Sequence, residues 1–463
     1  MALHLQSRET QLYLLPVRTR VPLKFGAETL TRVTCSRVHL RCETSDGRSV
    51  WGWGETPPSV QWVWPSALSY TERERALISF SRHLARAWVQ APRAGHPLSV
   101  GHAFLSTELP RLRDEFNATE RAGAEPLPLL AALVCCAPFD LAFHDAYGIA
   151  CDRPIYELYG HEHCEDDLAS FFEDAAFAEK YVGNYLAPPP ETTIPAWHLV
   201  GGKDPLSRFE LEGEQPDDGY PTLLRDWIER DGLRCLKVKL RGNNRAWDLA
   251  RLREVSGIGL GAGVQWLTAD FNCQVTDPAY VTSILDELQA NDPAIYEALL
   301  YVEQPFPYDL EKHRIDVHTV SERKPLFMDE SAHDWRLVRL GHQLGWNGVA
   351  LKTCKTQTGA LLSLCWAREH GMQIMVQDLT NPMLAQISHL QLGYHAGTIM
   401  GVETNSMQFY PDASLPEAAV HPGMFGRRNG TVDLASALGR PGFGFRAEEI
   451  ARELPEPDTV VSA

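Results

Sequence analysis

Basic residues are in the minority in this chain: 43 Lys and Arg stand against 60 Asp and Glu, a formal net charge of −17. A surface of that sign repels a phosphate backbone, so nucleic acid is not an expected partner. An anionic substrate stays open, because a few local cations can dominate one site. The ten cysteines include no CxxC pair and form no regular framework. In a chain of this size that implies reduced thiols and a cytoplasmic compartment. Cys135 and Cys136 are expected to pack on a helix. No apolar run reads as long enough to span a bilayer, so no membrane is expected. The start, MALHLQSRETQ, has no basic segment leading into an apolar one, so no secretory signal is expected. Low-complexity tracts and sequence repeats are missing as well. What remains is a globular composition, 44% hydrophobic and 22% charged, over 463 residues, enough for about two or three domains.

The pattern changes along the chain. From about 20 to 60 it reads as an antiparallel meander: VPLKF, then TRVTCSRVHLRCET, a Ser45–Asp46–Gly47 turn, then VWGWGET. A mostly helical region follows, with YTERERALISFSRHLARAWVQ and AALVCCAPFDLAFHDAYGIA. Strands first and helices after is an α+β arrangement. From about 192 onward short apolar strands alternate with amphipathic segments. Eight are strand-like: TIPAWHLV, CLKVKL, QWLTADFN, LLYVEQP, PLFMDES, GVALKTC, QIMVQDL and TIMGVETN. Eight βα units in about 220 residues is the arithmetic of a (β/α)8 TIM barrel. An open doubly wound sheet is the rival, but the GGKD after His198 lacks the glycine spacing of a phosphate turn. The expected class is therefore α/β, a modified (β/α)8 TIM barrel with an N-terminal α+β capping domain. The expected divisions are 1–190 for the cap with its connecting segment, 191–410 for the barrel, and 411–463 for a segment returning to the cap.

In CLKVKL, side-chain alternation puts Lys237 and Lys239 on one face and Leu236, Val238 and Leu240 on the other. Two lysines on a solvated strand face would be unremarkable alone. The other strand ends change that. They carry Asp270 and Asn272, Glu303, Asp329 and Glu330, Lys352, Asp378, and Glu403 and Asn405, in successive steps of 23 to 33 residues. In a barrel all of these reach one rim. Asp270, Glu303 and Asp329 from neighbouring strands cannot all stay ionised without a counter-charge. They make a hard oxygen set for Mg²⁺, with Mn²⁺ possible. Lys239 is then a candidate acid/base and Lys237 its electrostatic partner, while Lys352 stands on the opposite side of the mouth. Bases on two faces permit racemisation or epimerisation; one face alone serves elimination, dehydration or cycloisomerisation.

These residues resemble the enolase superfamily, and within it the muconate lactonizing enzyme-like subgroup of the mandelate racemase/muconate lactonizing enzyme family. The motifs are KxK (Lys237, Lys239), DxN (Asp270, Asn272), EQP (Glu303), DES (Asp329, with Glu330) and LKTCKTQTG, where Lys352 takes the strand-six role and Lys355 competes for it. VPLKFG and GWGETP resemble the two loops that close over the family's substrate, and FDLAFHDAYGIACDRPIYELYG the helix joining cap to barrel. The resemblance implies a Mg²⁺-dependent isomerase or lyase that removes the proton alpha to a substrate carboxylate, giving an enolate. It also implies a small-molecule carboxylate as partner and a homo-oligomer. A racemase, epimerase or cycloisomerase is favoured. The rivals are an acid-sugar dehydratase or o-succinylbenzoate-synthase-like lyase, and a catalytically silent barrel serving as a binding subunit. There are departures. The mandelate racemase branch pairs a strand-seven His with a strand-six Asp, where this chain has Asp378 and Lys352. Dipeptide epimerases carry DxD on strand eight, where this chain has GVETNS.

Other residues have two readings each. Trp51, Trp53, Trp62 and Trp64 crowd the second cap loop and suit either an apolar substrate, with Trp53 foremost, or cap packing. His198 could touch substrate or be a structural histidine. Asp378 could orient Lys352, bind a substrate group or pair with a neighbour. HEHCEDD (161–167) is expected to be solvated loop, and His144 and Asp145 to be structural.

Overall fold

The computed structural model describes residues 3–25, 28–90, 94–211 and 215–463. Gly26 of VPLKFG therefore lies outside the described residues. The chain opens with a long antiparallel sheet, β1 (Leu5–Phe25), β2 (Glu28–Thr44) and β3 (Ser49–Thr56). β1 starts well before the meander read from the sequence. Pro16 and the charges around it obscure its alternation. The proline is tolerated because β13 (Thr459–Ser462) covers β1 only at residues 9–12. The order in this sheet is β13-β1-β2-β3.

Two long helices cover one face of the sheet, α1 (Tyr70–Gln90) and α2 (Leu129–Cys151). Among the described residues α2 alone is long and apolar enough to cross a membrane, and 94% of that stretch is buried inside the protein. The sequence reading took no run to be that long. What makes this one a core helix is its surroundings, with the sheet on one side and the barrel on the other. β3 approaches α2 closely because its inward positions are glycines. A Cβ on Gly52 would fall on the Ala142 carbonyl, and one on Gly54 on the Pro138 carbonyl. Two buried aspartates on α2 then fix its neighbours. Asp145 accepts from the backbone N–H groups of Trp53 and Phe443, each at 2.9 Å. Asp140 accepts from Thr358 N at 2.9 Å and Thr358 Oγ1 at 2.7 Å. His144 bonds Thr358 Oγ1 (2.9 Å) and the Tyr159 hydroxyl (2.8 Å). His144 and Asp145 are thus structural.

All eight strands of the alternating region are present and parallel: β4 (Thr193–Val200), β5 (Cys235–Lys239), β6 (Trp266–Asp270), β7 (Leu299–Glu303), β8 (Leu326–Met328), β9 (Gly348–Leu351), β10 (Gln373–Val376) and β11 (Val402–Glu403). Pairing of β11 with β4 closes the barrel, and β12 (Thr431–Asp433) adds to β4 antiparallel. The outer helices are uneven. Between β7 and β8 the connection holds only the single turn His318–Ser321, so the barrel is a modified one. HEHCEDD forms turns, with Glu165 on His4 and Asp167 capping the helix Leu168–Phe172.

Three outcomes are expected. Gly54→Ala forces backbone apart and should cost about 1–3 kcal/mol, read as a lower urea midpoint. Gly257→Ala, in a helix interior with open space around the new Cβ, should instead leave stability unchanged or raise it. Burial pushes the Asp145 carboxyl up to about 7. The folded state then holds that proton more tightly than the unfolded state does. The stability of the wild type relative to Asp145→Asn should fall as pH rises from about 4 to 7, and stay flat above, in denaturation across that range.

Candidate active site

The strands set the level of each functional group. Lys239 is in register with Asp270, and Asp270 with Glu303, so three neighbouring strands end together. Inward alternation on β5 buries Lys237 and Lys239 in the barrel mouth. Lys237 Nζ lies 2.6 Å from Glu303 Oε1, 3.0 Å from Glu403 Oε2 and 3.2 Å from Asp270 Oδ2. Lys239 Nζ lies 2.5 Å from Asp270 Oδ2. Burial alone would lower the pKa of Lys237, but the surrounding carboxylates, Glu303 foremost, raise it well above the usual lysine value.

Across the mouth, Lys352 directly follows β9 and the 3-10 turn Thr353–Lys355 brings a second ammonium back. Lys352 Nζ is 3.2 Å from Asp329 Oδ2 and donates to the Asp378 carbonyl at 2.9 Å. Lys355 Nζ donates to the Asp329 carbonyl and lies 3.5 Å from its Oδ1. Both ammonium groups sit over the Trp62 ring, at 5.3 and 5.6 Å. Trp62 Nε1 donates to Glu330 at 3.0 Å. Burial lowers both lysines; for Lys352 the facing Asp329 outweighs it and the pKa is raised, while Lys355 stays lowered. Of the two, Lys352 lines the central cavity.

The remaining sequence candidates separate. Glu403 stays in the mouth, held by Lys237 and by Asn405 Nδ2 at 2.8 Å. Asp378 is there too, but its oxygens already accept backbone N–H groups from Asn381 (2.7 Å) and Asn405 (2.6 Å). Asn272 sits beside Asp270 with φ 49°, and its buried amide has no partner. His198 and Trp53 are not brought to the cavity. On β4, Trp197 and Leu199 point inward, so His198 points out toward Trp227, 5.5 Å between rings. Trp53 stacks on His39 at 3.7 Å, on the sheet face away from α2. Trp62 is the tryptophan that lines the cavity. Gln377, which donates to Glu303 Oε2 at 2.6 Å, is a site residue outside the sequence candidates. Its position directly before Asp378 at a strand end was the available signal.

Six buried carboxylates, Asp270, Glu303, Asp329, Glu330, Asp378 and Glu403, meet four buried lysines, Lys237, Lys239, Lys352 and Lys355. Fully ionised, the mouth has two negative charges in excess. Burial, then neighbouring carboxylates, accordingly push Glu303 well up, and Glu330 and Asp378 up to about 7. A divalent cation would supply the missing charge, and the donors are the hard oxygens that Mg²⁺ prefers. The Glu330 Oε2 and Asn272 Oδ1 atoms are buried and unpartnered. As they stand, no three His, Cys, Asp or Glu side chains among the described residues are grouped to hold an ion. Lys237 bridges the carboxylates instead. The set fits a hard cation in chemistry and charge, provided Lys237 yields some of its contacts.

A family model described as enolase C-terminal domain-like matches residues 220–451. No protein of curated function matches the chain in sequence. Several solved structures share the fold. The L-Ala-D/L-Glu epimerase from Bacillus subtilis, in a substrate-liganded complex, has a TM-score of 0.62 at 18% identity, over 95% of this chain and 98% of that one. A dipeptide epimerase from Cytophaga hutchinsonii, complexed with Mg and the dipeptide D-Ala-L-Val, has 0.58 at 17%, over 88% of each chain. Muconate lactonizing enzyme from Pseudomonas fluorescens, complexed with muconolactone, has 0.58 at 14%, over 95% and 96%. At these identities the likeness is one of fold.

The excess charge makes a direct prediction. Mg²⁺ should raise the melting temperature by mass action. Its binding should release protons near pH 7, read as a binding enthalpy that changes with the buffer. Glu303→Gln should weaken binding about tenfold or more. A melting temperature indifferent to Mg²⁺ would contradict the charge argument.

Proposed function

This chain belongs to the enolase superfamily, among its muconate lactonizing enzyme- and mandelate racemase-like members, and from that premise we propose that it removes the proton alpha to a substrate carboxylate in a Mg²⁺-dependent reaction. The carrying observation is the placement of Lys239 and Lys352. They end β5 and β9, four strands apart in an eight-stranded barrel, and line one cavity. A carbon held between them has a proton carrier on each face, which supports a racemase or epimerase, with cycloisomerisation as the related outcome. Asp270, Glu303 and Asp329 would hold the cation. When bound there, Mg²⁺ (or Mn²⁺) supplies positive charge against the enolate that develops, commonly the largest part of such catalysis.

The residues have distinct tasks. Lys239, least buried of the four lysines, takes the substrate proton on the β5 side. Lys237 lies deeper and offers its ammonium to the substrate oxyanion. Lys352 returns a proton from the β9 side. The partners we propose are a small carboxylate and further copies of the chain. The lyase readings use the same groups and differ in what leaves. The silent-barrel reading would leave ten buried charged groups without a task.

Deuterium exchange at the alpha carbon in D₂O with Mg²⁺ tests the proposal. Lys239→Ala and Lys352→Ala should each slow turnover by about 10²–10⁴-fold, with a lowered melting temperature but a circular-dichroism spectrum that still shows the fold. Loss of chirality with exchange supports the two-sided isomerase, and loss of water supports the lyase. Full activity in Lys352→Ala would sink the two-base mechanism.

A further inference from the structure

The walls of the central cavity divide sharply by origin. Its charged groups all stand at barrel strand ends. Its ceiling comes from Leu23, Phe25 and Leu30 of the cap hairpin, Trp62 of the turn Val60–Val63, and Leu199 and Leu379 at the ends of β4 and β10. None of these six carries a charge. The space between ceiling and floor measures about 40 Å³, room for two or three waters. The ceiling therefore has to lift for a substrate and closes back on the part that faces it.

The polar groups nearest the ceiling are already engaged. Both Asp378 oxygens accept backbone N–H groups. The Glu403 oxygens take Asn405 Nδ2 and Lys237, and Asn405 Oδ1 takes Leu199 N at 3.1 Å. A substrate ammonium would thus have to share carboxylates that the protein already engages, and a second substrate carboxylate would meet no cation beyond the floor lysines among the described lining residues. Sugar hydroxyls would find the side-chain hydroxyls of Ser59 and Thr380 among the described lining residues. An apolar wall rejects an added hydroxyl only weakly, but a charge that must be buried without a partner strongly.

We infer that the substrate is a carboxylic acid whose remainder, beyond the reacting carbon, is apolar and uncharged, an alkyl or aryl group with at most one or two polar substituents. The inference rests on the enolate reading above. It separates this chain's substrate from a free dipeptide, an acid sugar and an acid with a second charged end. The selecting residues are those of the ceiling, Phe25 and Trp62 foremost because they present the largest apolar faces.

The test compares alpha-proton exchange in D₂O with Mg²⁺ across matched acids: N-acetyl-L-leucine, N-acetyl-L-phenylalanine and 2-phenylpropionate against L-alanyl-L-glutamate, N-succinyl-L-arginine and D-gluconate. At least one of the first three should exchange tenfold or more faster than every one of the second. Phe25→Arg, at a partly exposed position that tolerates a charge, should slow the apolar acids tenfold or more, with an unchanged melting temperature. Exchange of a charged or polyhydroxylated acid as fast as the apolar ones, lost in Lys239→Ala, would overturn the inference and leave the enolate reading standing. No exchange with any of the six, by protein shown to bind Mg²⁺ in calorimetry, would overturn both.

Discussion

The excess of buried negative charge at the barrel mouth is the constraint to which the rest of the site answers. Six carboxylates and four ammonium groups are kept from water. Removing one partner of a buried pair costs about 3–5 kcal/mol, because the other charge is left behind. The uncharged residues between them are therefore tightly specified. Gln377 holds Glu303, Asn405 holds Glu403, and Gln304 accepts from Asp329 N at 2.7 Å and from the Ser331 hydroxyl at 2.8 Å. Gln304 and Asn272 take positive φ, 29° and 49°, next to Glu303 and Asp270. Strain of about 1–3 kcal/mol per such residue persists only where the surroundings over-determine it, and a lattice of buried ion pairs does that.

The lattice is tied to the cap through one helix. Asp140 on α2 holds Thr358, three residues beyond Lys355, at the start of the helix Gln357–Glu369. Asp145, a turn and a half further along α2, holds Trp53 and Phe443. So the helix that carries the cap sheet also fixes the turn that brings Lys352 and Lys355 to the mouth. Trp62 closes the loop, with its ring against both lysines and its N–H on Glu330. That part of the ceiling is thereby tied to the β9-side lysines.

Much of this is legible in the sequence because barrel strands advertise their ends. KVK, TAD, VEQP, MDES, VALK, VQD and VET each close an apolar run with a charge, and the spacing between them is that of a βα unit. Fold, closure and the identity of the charged rim follow from that pattern. Which way a side chain faces does not follow so easily. His198 stands beside two inward residues, and a shift of one position carries a side chain to the other face. Trp53 and Trp62 lie in one aromatic stretch, yet Trp53 belongs to a strand against His39 while Trp62 belongs to a turn over the mouth. The first half of β1 hides behind Pro16 and its charges. The ceiling leucines carry no chemical signal at all; only the fold brings them together.

Asymmetry between the two sides of the mouth bears on direction of proton flow. On the β5 side, Lys239 shares Asp270 with Lys237, so two ammonium groups compete for one carboxylate. On the β9 side, Lys352 has Asp329 at 3.2 Å, and that carboxylate raises its pKa against the pull of burial. The resting arrangement thus holds Lys352 as an acid. Whatever engages the Asp329 carboxylate elsewhere removes that support and lets burial lower Lys352 toward a base. Asp329 is also one of the three residues proposed to hold the cation. With a cation held as proposed, its binding and the readiness of the second base would be linked, and Lys355, bonded to the Asp329 carbonyl, ties that residue down.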